Sequence, residues 1–325
     1  MTTSPERFNT PLTQGNESAI DAGVQHLIQA ATSENTRQTY RSAIRQFEKW
    51  GGRLPCNSDA LLHYIRDKST ILNPRTLDLH LTAISQWHRF QHLPDPTHTP
   101  TVKKVLKGNR RLHAKPKHKA KAFDLISLKR LVEHLDGRNP SSKLIRDKAL
   151  ILMGFFGGFR RSELATLTME NISWHSDGMI INLTKSKTNQ ECDDQLRAIP
   201  ASNTAFCAVA ALKKWLQIAN ITEGFIFRGL NRWEQVSDAS LSPASVNTIL
   251  KEHAAQAGLN DVELISSHSL RRGMATSAGR AGIDFALIKK QGGWKQDSTV
   301  WGYIDEGRIF ENNASLQLLK AIEEI

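Results

Sequence analysis

Between Arg160 and Tyr303 the chain carries, in one order, side chains able to hold and attack a phosphodiester. Arg160 lies in GFRRSEL just past a double glycine, and Glu163 three residues on shares its face if the segment is helical. Lys187 lies in TKSKTNQ, with Lys185 two residues earlier. His268 and Arg271 stand three apart in HSLRRGMAT, so a helical turn would point them the same way. Trp294 ends QGGW, and Tyr303 follows nine residues later in WGYID. Each piece alone is commonplace. Together they are the parts of a transesterification that needs no metal. Two guanidinium forks can grip the non-bridging oxygens of a phosphate and stabilise the charge that builds on them as phosphorus becomes pentacoordinate. A tyrosine hydroxyl, with an ordinary pKa near 10, becomes a nucleophile once a base or a cationic field helps it ionise. A lysine can protonate a departing deoxyribose oxygen, and a histidine and an indole N–H add hydrogen bonds.

Other chemistries lack their residues. GFFGGF has neither the lysine nor the hydroxyl of a nucleotide-binding loop, and there is no HExxH. No carboxylate cluster stands out for two-metal nuclease work, and no metal or cofactor is called for. Cys56, Cys192 and Cys207 are odd in number and widely spaced, which fits a reducing cytoplasm rather than a disulfide framework. The opening MTTSPERFNT has no apolar signal-peptide core. The longest apolar run, ALILMGFFGGF, is about half of what a membrane span needs. A cytoplasmic location and no membrane partner are therefore expected.

The elements that must position these groups read as mainly α with a small antiparallel sheet, in two domains. Residues 1–18 are polar and read as a disordered tail. Residues 19–110 read as a small helical domain. In it Ser33 can cap a helix bearing Tyr40, Ile44 and Phe47 before the Gly51–Gly52 stop, and a second helix carries Leu77, Leu81, Ile84 and Trp87. The prolines of HLPDPTHTP interrupt this pattern. From Lys103 to Lys121 there are nine Lys/Arg and no acid, in a chain of net charge +11 and pI near 9.7. That run reads as a solvated basic linker (residues 111–122 at its core) doubling as a phosphate-binding strap, and the excess charge points to a polyanionic partner.

A second domain, 123–325, opens with a helix that Ser127 could cap, bearing Leu128, Leu131, Val132 and Leu135. Another helix covers about 143–156. MIINLT and LRAIP read as two strands flanking a polar tip. Helices follow at about 204–219, 243–257, 269–281 and 284–290. The last segment, 314–325, has Leu316, Leu319 and Ile322 at helical spacing, widened by Leu318, Ala321 and Ile325. A helix so short is marginal alone in water and should dock onto something.

With its ordered residue set, the sequence resembles the tyrosine recombinase (phage integrase) family, and Cre-type recombinases most closely, over roughly residues 30–310. Family motifs fall on Arg160, Glu163, Lys187, His268, Arg271, Trp294 and the nucleophile Tyr303, and SENTRQTYRSAIRQFEKW resembles the opening of the family's helical core-binding domain. The resemblance implies a two-domain clamp on duplex DNA, cleavage and rejoining through a 3′-phosphotyrosine bond, and no metal or other cofactor. It also implies a homotetramer on paired sites of inverted half-sites, joined by exchange of the C-terminal helix. LSPASVNTILKEH resembles the family's groove-entering helix, with Asn247 and Lys251 as its exposed candidates. Arg37, Arg41, Arg75, Lys103, Lys104 and Arg110 are the further candidates for DNA contact. A type IB topoisomerase shares this active set, and a protein that binds DNA without cutting would share the clamp. Intact Tyr303 with both arginines favours the cutting enzyme over the binder, and the compact helical N-terminal domain favours recombination over topoisomerase action.

Overall fold

The computed structural model describes residues 31–116, 120–183, 195–310 and 313–324. The proposed tail, 1–18, and the lysines of the polar tip lie outside them. The chain divides into two compact units, Met1–Lys117 and His118–Ile325.

The first unit is helical: α1 (Glu34–Trp50), α2 (Ser58–Lys68), α3 (Pro74–Phe90) and α4 (Pro100–His113). Ser33 caps α1 by accepting from the Thr36 N–H, and Gly51 ends it in the left-handed region (φ 113°). Asn73 caps α3 with Pro74 in the first turn, where a missing N–H costs nothing. Phe47, Leu61, Tyr64, Ile65, Leu77, Leu81, Ile84 and Val102 form the core. One expectation is corrected. Residues 103–113, read as solvated linker, are helix α4, because Val102 seats its first turn in the core and Asn109 is also buried.

The second unit holds nearly all the remaining elements: α5 (Leu125–Asp136), α6 (Ser142–Phe156), α7 (Arg161–Ala165), β1 (Ile172–His175), β2 (Gly178–Asn182), β3 (Leu196–Pro200) and α8 (Ala208–Ile218). After these come β4 (Arg228–Leu230), β5 (Val236–Ser240), α9 (Pro243–Gln256), α10 (Ser267–Arg280), α11 (Phe285–Gly292), α12 (Asp297–Gly307) and α13 (Ala314–Glu323). The cap of α5 is Asp124, not Ser127: its carboxylate accepts from the Ser127 N–H at 2.7 Å, so the helix starts earlier. The sheet is antiparallel in the order β1-β2-β3, with Ile180 opposite Ala198 and Ile181 opposite Arg197. The strand β1 and the β4–β5 hairpin had no signal in the alternation of the sequence, because little of either is buried. Helix α6 is the buried centre: Ala149, Leu150, Ile151, Leu152 and Met153 are all inaccessible. That explains an apolar run too short for a membrane, and among the described residues no helix is long and apolar enough to cross one.

Candidate active site

Helix α6 ends at Phe156, and the chain turns through Gly157 and Gly158 to deliver Arg160 at the start of α7. Gly158 has φ +54°, a left-handed conformation that strains other side chains, so the turn favours glycine. Glu163 reaches back from α7. One oxygen accepts from the Arg160 backbone N–H at 2.9 Å, and the other pairs with the Arg160 guanidinium at 2.5 Å. This is not a surface ion pair, since Glu163 is buried and has a second cationic partner. Arg197 of β3 donates to it at 3.1 Å and to the Gly157 carbonyl at 3.0 Å, with its guanidinium 4.7 Å from the Phe159 ring centroid. Burial works to raise the Glu163 carboxyl, but Arg197 and Arg160 outweigh it and hold it below the usual carboxylate range.

Opposite, Ser266 caps α10 and its first turn projects His268 and Arg271. Arg271 is buried, donates to the Gly158 carbonyl, and lies with its guanidinium carbon 4.2 Å from the Trp294 ring centroid. Its Nη2 has no hydrogen-bond partner among the described residues. Burial first, then the neighbouring Arg160 and Arg197 guanidinium groups, push Arg271 down to about 9. Among the described residues, three arginines (Arg160, Arg197 and Arg271) face the one carboxylate of Glu163. Gly293, in the left-handed region (φ 60°), ends α11 and turns Trp294 back onto the site. Tyr303, on α12, has its ring centroid 5.6 Å from that of Trp294 and its hydroxyl 3.4 Å from Nε2 of His268. Burial pushes the Tyr303 phenol up, so in the free protein it is a neutral hydroxyl.

Arg160, Glu163, His268, Arg271, Trp294 and Tyr303 are thus brought together by α7, α10, the turn after α11, and α12. Lys187 and Lys185 lie in 184–194, outside the described residues. The strands at the base of that tip are paired through Leu183 N–H and Gln195 carbonyl at 3.2 Å, and β3 is tied to α11 where Gln291 donates to the Ala198 carbonyl. Arg197 was missed by sequence reading. Its signal was an arginine in register with Ile199 on the inward face of a strand.

The candidates for DNA contact separate. Arg75, Lys103 and Lys104 are exposed. Arg37 and Arg41 pair with Glu34, and Arg110 pairs with Asp78 at 2.9 Å. Asn247 and Lys251 are half-buried rather than exposed. Asn247 accepts from the Ser267 N–H at 2.7 Å, and Lys251 donates to the Glu263 carbonyl at 3.0 Å, because this face of α9 packs against the start of α10 and the turn before it.

Known proteins resemble this chain in sequence and in fold. Residues 123–307 match the Phage integrase family. An integrase/recombinase XerD homologue of Selenomonas ruminantium is 33% identical over 92% of this chain and 89% of its own length. The recombinase Cre of Escherichia phage P1 is 23% identical over 89% of each chain, so the likeness to Cre is weaker than to that XerD homologue. Among solved structures, XerH recombinase bound to its palindromic difH substrate superposes with a TM-score of 0.63 at 19% identity, over 89% of this chain and 80% of that one. A λ integrase dimer bound to a core site gives 0.59 at 17% identity, over 89% and 76%. These two show a shared fold. Taken with the matched domain and the XerD relative, they lead to one conclusion: the chain belongs to the phage integrase family of tyrosine recombinases, enzymes that cut and rejoin DNA in site-specific recombination.

Proposed function

We propose that this recombinase breaks duplex DNA by attack of Tyr303 on the scissile phosphate and conserves the bond energy in a 3′-phosphotyrosine link. The observation that carries the reading is the placing of the Tyr303 hydroxyl beside His268, on the same cluster as Arg271 and Trp294. Arg160 and Arg271 grip the non-bridging oxygens, and Glu163 holds Arg160 in place. As the Tyr303 oxygen–phosphorus bond forms, the phenolic proton passes toward His268. The phosphorus–5′-oxygen bond breaks, and that oxygen takes a proton from Lys187 (or Lys185, two residues earlier). Attack by a 5′-hydroxyl of another strand reverses the sequence and releases Tyr303. No metal or high-energy cofactor enters the balance. A nicked duplex, from which the freed 5′ fragment diffuses away, should therefore trap a protein–DNA adduct in the presence of EDTA. Loss of the adduct in EDTA and its return with magnesium would overturn the mechanism.

In this reading the first unit is the core-binding domain, and the second is catalytic. Exposed Lys103 and Lys104 of α4, with Arg75 of α3, contribute phosphate contacts to the clamp on duplex DNA. The active form is a tetramer on paired sites of inverted half-sites, held together by α13 of each protomer seated on the next, and it works in the cytoplasm. What supports this assembly is the apolar face of α13: Leu318, Leu319 and Ile322 are 65%, 57% and 66% exposed within their own chain. Seating them on a neighbour buries enough apolar surface to favour a ring that links four active sites. Ending the chain after Asn313 should leave the melting temperature and single-site binding unchanged while abolishing tetramer formation on DNA, read by light scattering. A tetramer that persists without α13 would remove helix exchange from the account.

A further inference from the structure

The arginine next to Arg271 faces the other way around α10. Arg272 is 3% exposed, and its Nη2 donates to both oxygens of Glu306 at 2.6 and 2.5 Å. Its Nη1 donates to the carbonyl of Ala120. Its guanidinium carbon lies 5.7 Å from the centroid of the Tyr303 ring. Glu306 and Tyr303 are three residues apart on α12, so one face of that helix carries both. Ala120 belongs to an extended strap that leads into the catalytic unit and is laced to the start of α10. Lys121 N–H bonds to the Leu264 carbonyl and Phe123 N–H to the Ser269 carbonyl, both at 3.0 Å. The strap rides so close that a Cβ on Gly273 would fall 1.8 Å from the Phe123 carbonyl oxygen. Strap, α10 and the nucleophile helix therefore meet at one guanidinium.

A cation so deeply buried is costly unless paired, and a bare packing position would be filled more cheaply by an apolar side chain. The pairing partner chosen is on the helix that must present the nucleophile. We propose that Arg272 is a positioning residue for Tyr303: it pins α12 against α10 and the strap, and its charge favours the phenolate that forms as attack begins. This inference rests on Tyr303 being the nucleophile. Among the described residues, the charged and titratable groups facing the phenol are Arg272, Arg271 and His268 from α10 and Glu306 from α12. Burial pushes the phenol up, Arg272 and then Arg271 act against that, and Glu306 acts with it.

The two partners therefore pull the phenol in opposite directions, which separates a role in positioning and charge from simple packing. Adduct formation on the nicked duplex is to be followed at saturating protein from about pH 7 to 10, the range below ordinary tyrosine ionisation. Arg272→Met should slow it about tenfold or more, on the scale of one assisted proton transfer, with duplex affinity unchanged, and should move its pH dependence to higher pH. Arg272→Lys, which keeps the charge and loses the fork, should return the pH dependence toward the native position while staying slow. Glu306→Gln, at a half-exposed position, should also slow the reaction yet move its pH dependence to lower pH. Native rates in both Arg272→Met and Glu306→Gln would overturn the proposal, and so would slowing in both with an unmoved pH profile. An adduct formed by Tyr303→Phe would instead overturn the nucleophile itself, so the two failures are distinct.

Discussion

Tyr303→Phe is expected to bind duplex DNA as the native chain does and to form no covalent adduct at all. The ring stays: it packs against Trp294 and is half-buried, so the phenylalanine keeps the apolar contacts. Only the hydroxyl is lost, and its bond to His268 is long at 3.4 Å, so the stability cost should be below about 1 kcal/mol. The other tyrosines are Tyr40 and Tyr64, both in the first unit. Tyr64 is fully buried, bonded to His80 at 2.7 Å, and pushed up to about 12 by burial. Gel-shift affinity and adduct yield on the same nicked duplex separate binding from chemistry. An adduct in the variant, mapped by peptide mass, would sink the assignment.

Arg271→Met should lose cleavage by at least about a hundredfold, the scale of one donor to a developing oxyanion, and yet melt no lower than the native protein. Both halves follow from one environment. Arg271 is buried beside two other arginines, has an Nη2 without a partner among the described residues, and is pushed down to about 9 by that burial and those like charges. In the free protein its charge is a burden, and the proposed phosphate between the arginines would relieve it. An apolar side chain of similar length keeps the contact with Trp294 and removes the burden, so stability holds or rises while catalysis falls, the trade found where a site is built for a missing ligand. Calorimetry and single-turnover cleavage, run on the same preparation, test the pair of effects. A variant that cleaves near the native rate would make Arg271 structural. One that cleaves slowly but melts much lower would mean the charge is stabilising before DNA binds.

Much of this was legible in the sequence because it is local. The Ser33 cap and Gly51 stop depend on hydrogen bonds that span three or four residues, and the stripe Leu77, Leu81, Ile84 repeats with the helix itself. The order Arg160, Glu163, His268, Arg271, Trp294, Tyr303 survives on the page because each member keeps a short flanking motif. Glu163 and Arg160 are three apart, and that spacing already implies contact on one helical turn. Its burial and its second bond to Arg197 were not implied. Arg197 is 34 residues away, and only pairing of β3 with β2 turns it inward toward Gly157.

The same limit explains where local reading went astray. Lys103 to Arg111 has the composition of a solvated strap, yet Val102 packs into the core, and that contact, made across the unit, decides for helix. Asn247 and Lys251 lie in a segment whose periodicity leaves them polar and free, and only the approach of Ser267 and Glu263 takes up their hydrogen bonds. Arg271 and Arg272 are identical in type and adjacent in sequence. The helical advance of about 100° per residue sends one to the pocket and the other to Glu306 and the strap. The sequence by itself therefore determined which chemistry is present and on which elements it rides, since residue type and short-range spacing suffice for that. That Arg272 meets the helix carrying Tyr303 and the strap was decided only by tertiary packing, because Glu306 and Ala120 are brought in from 34 and 152 residues away.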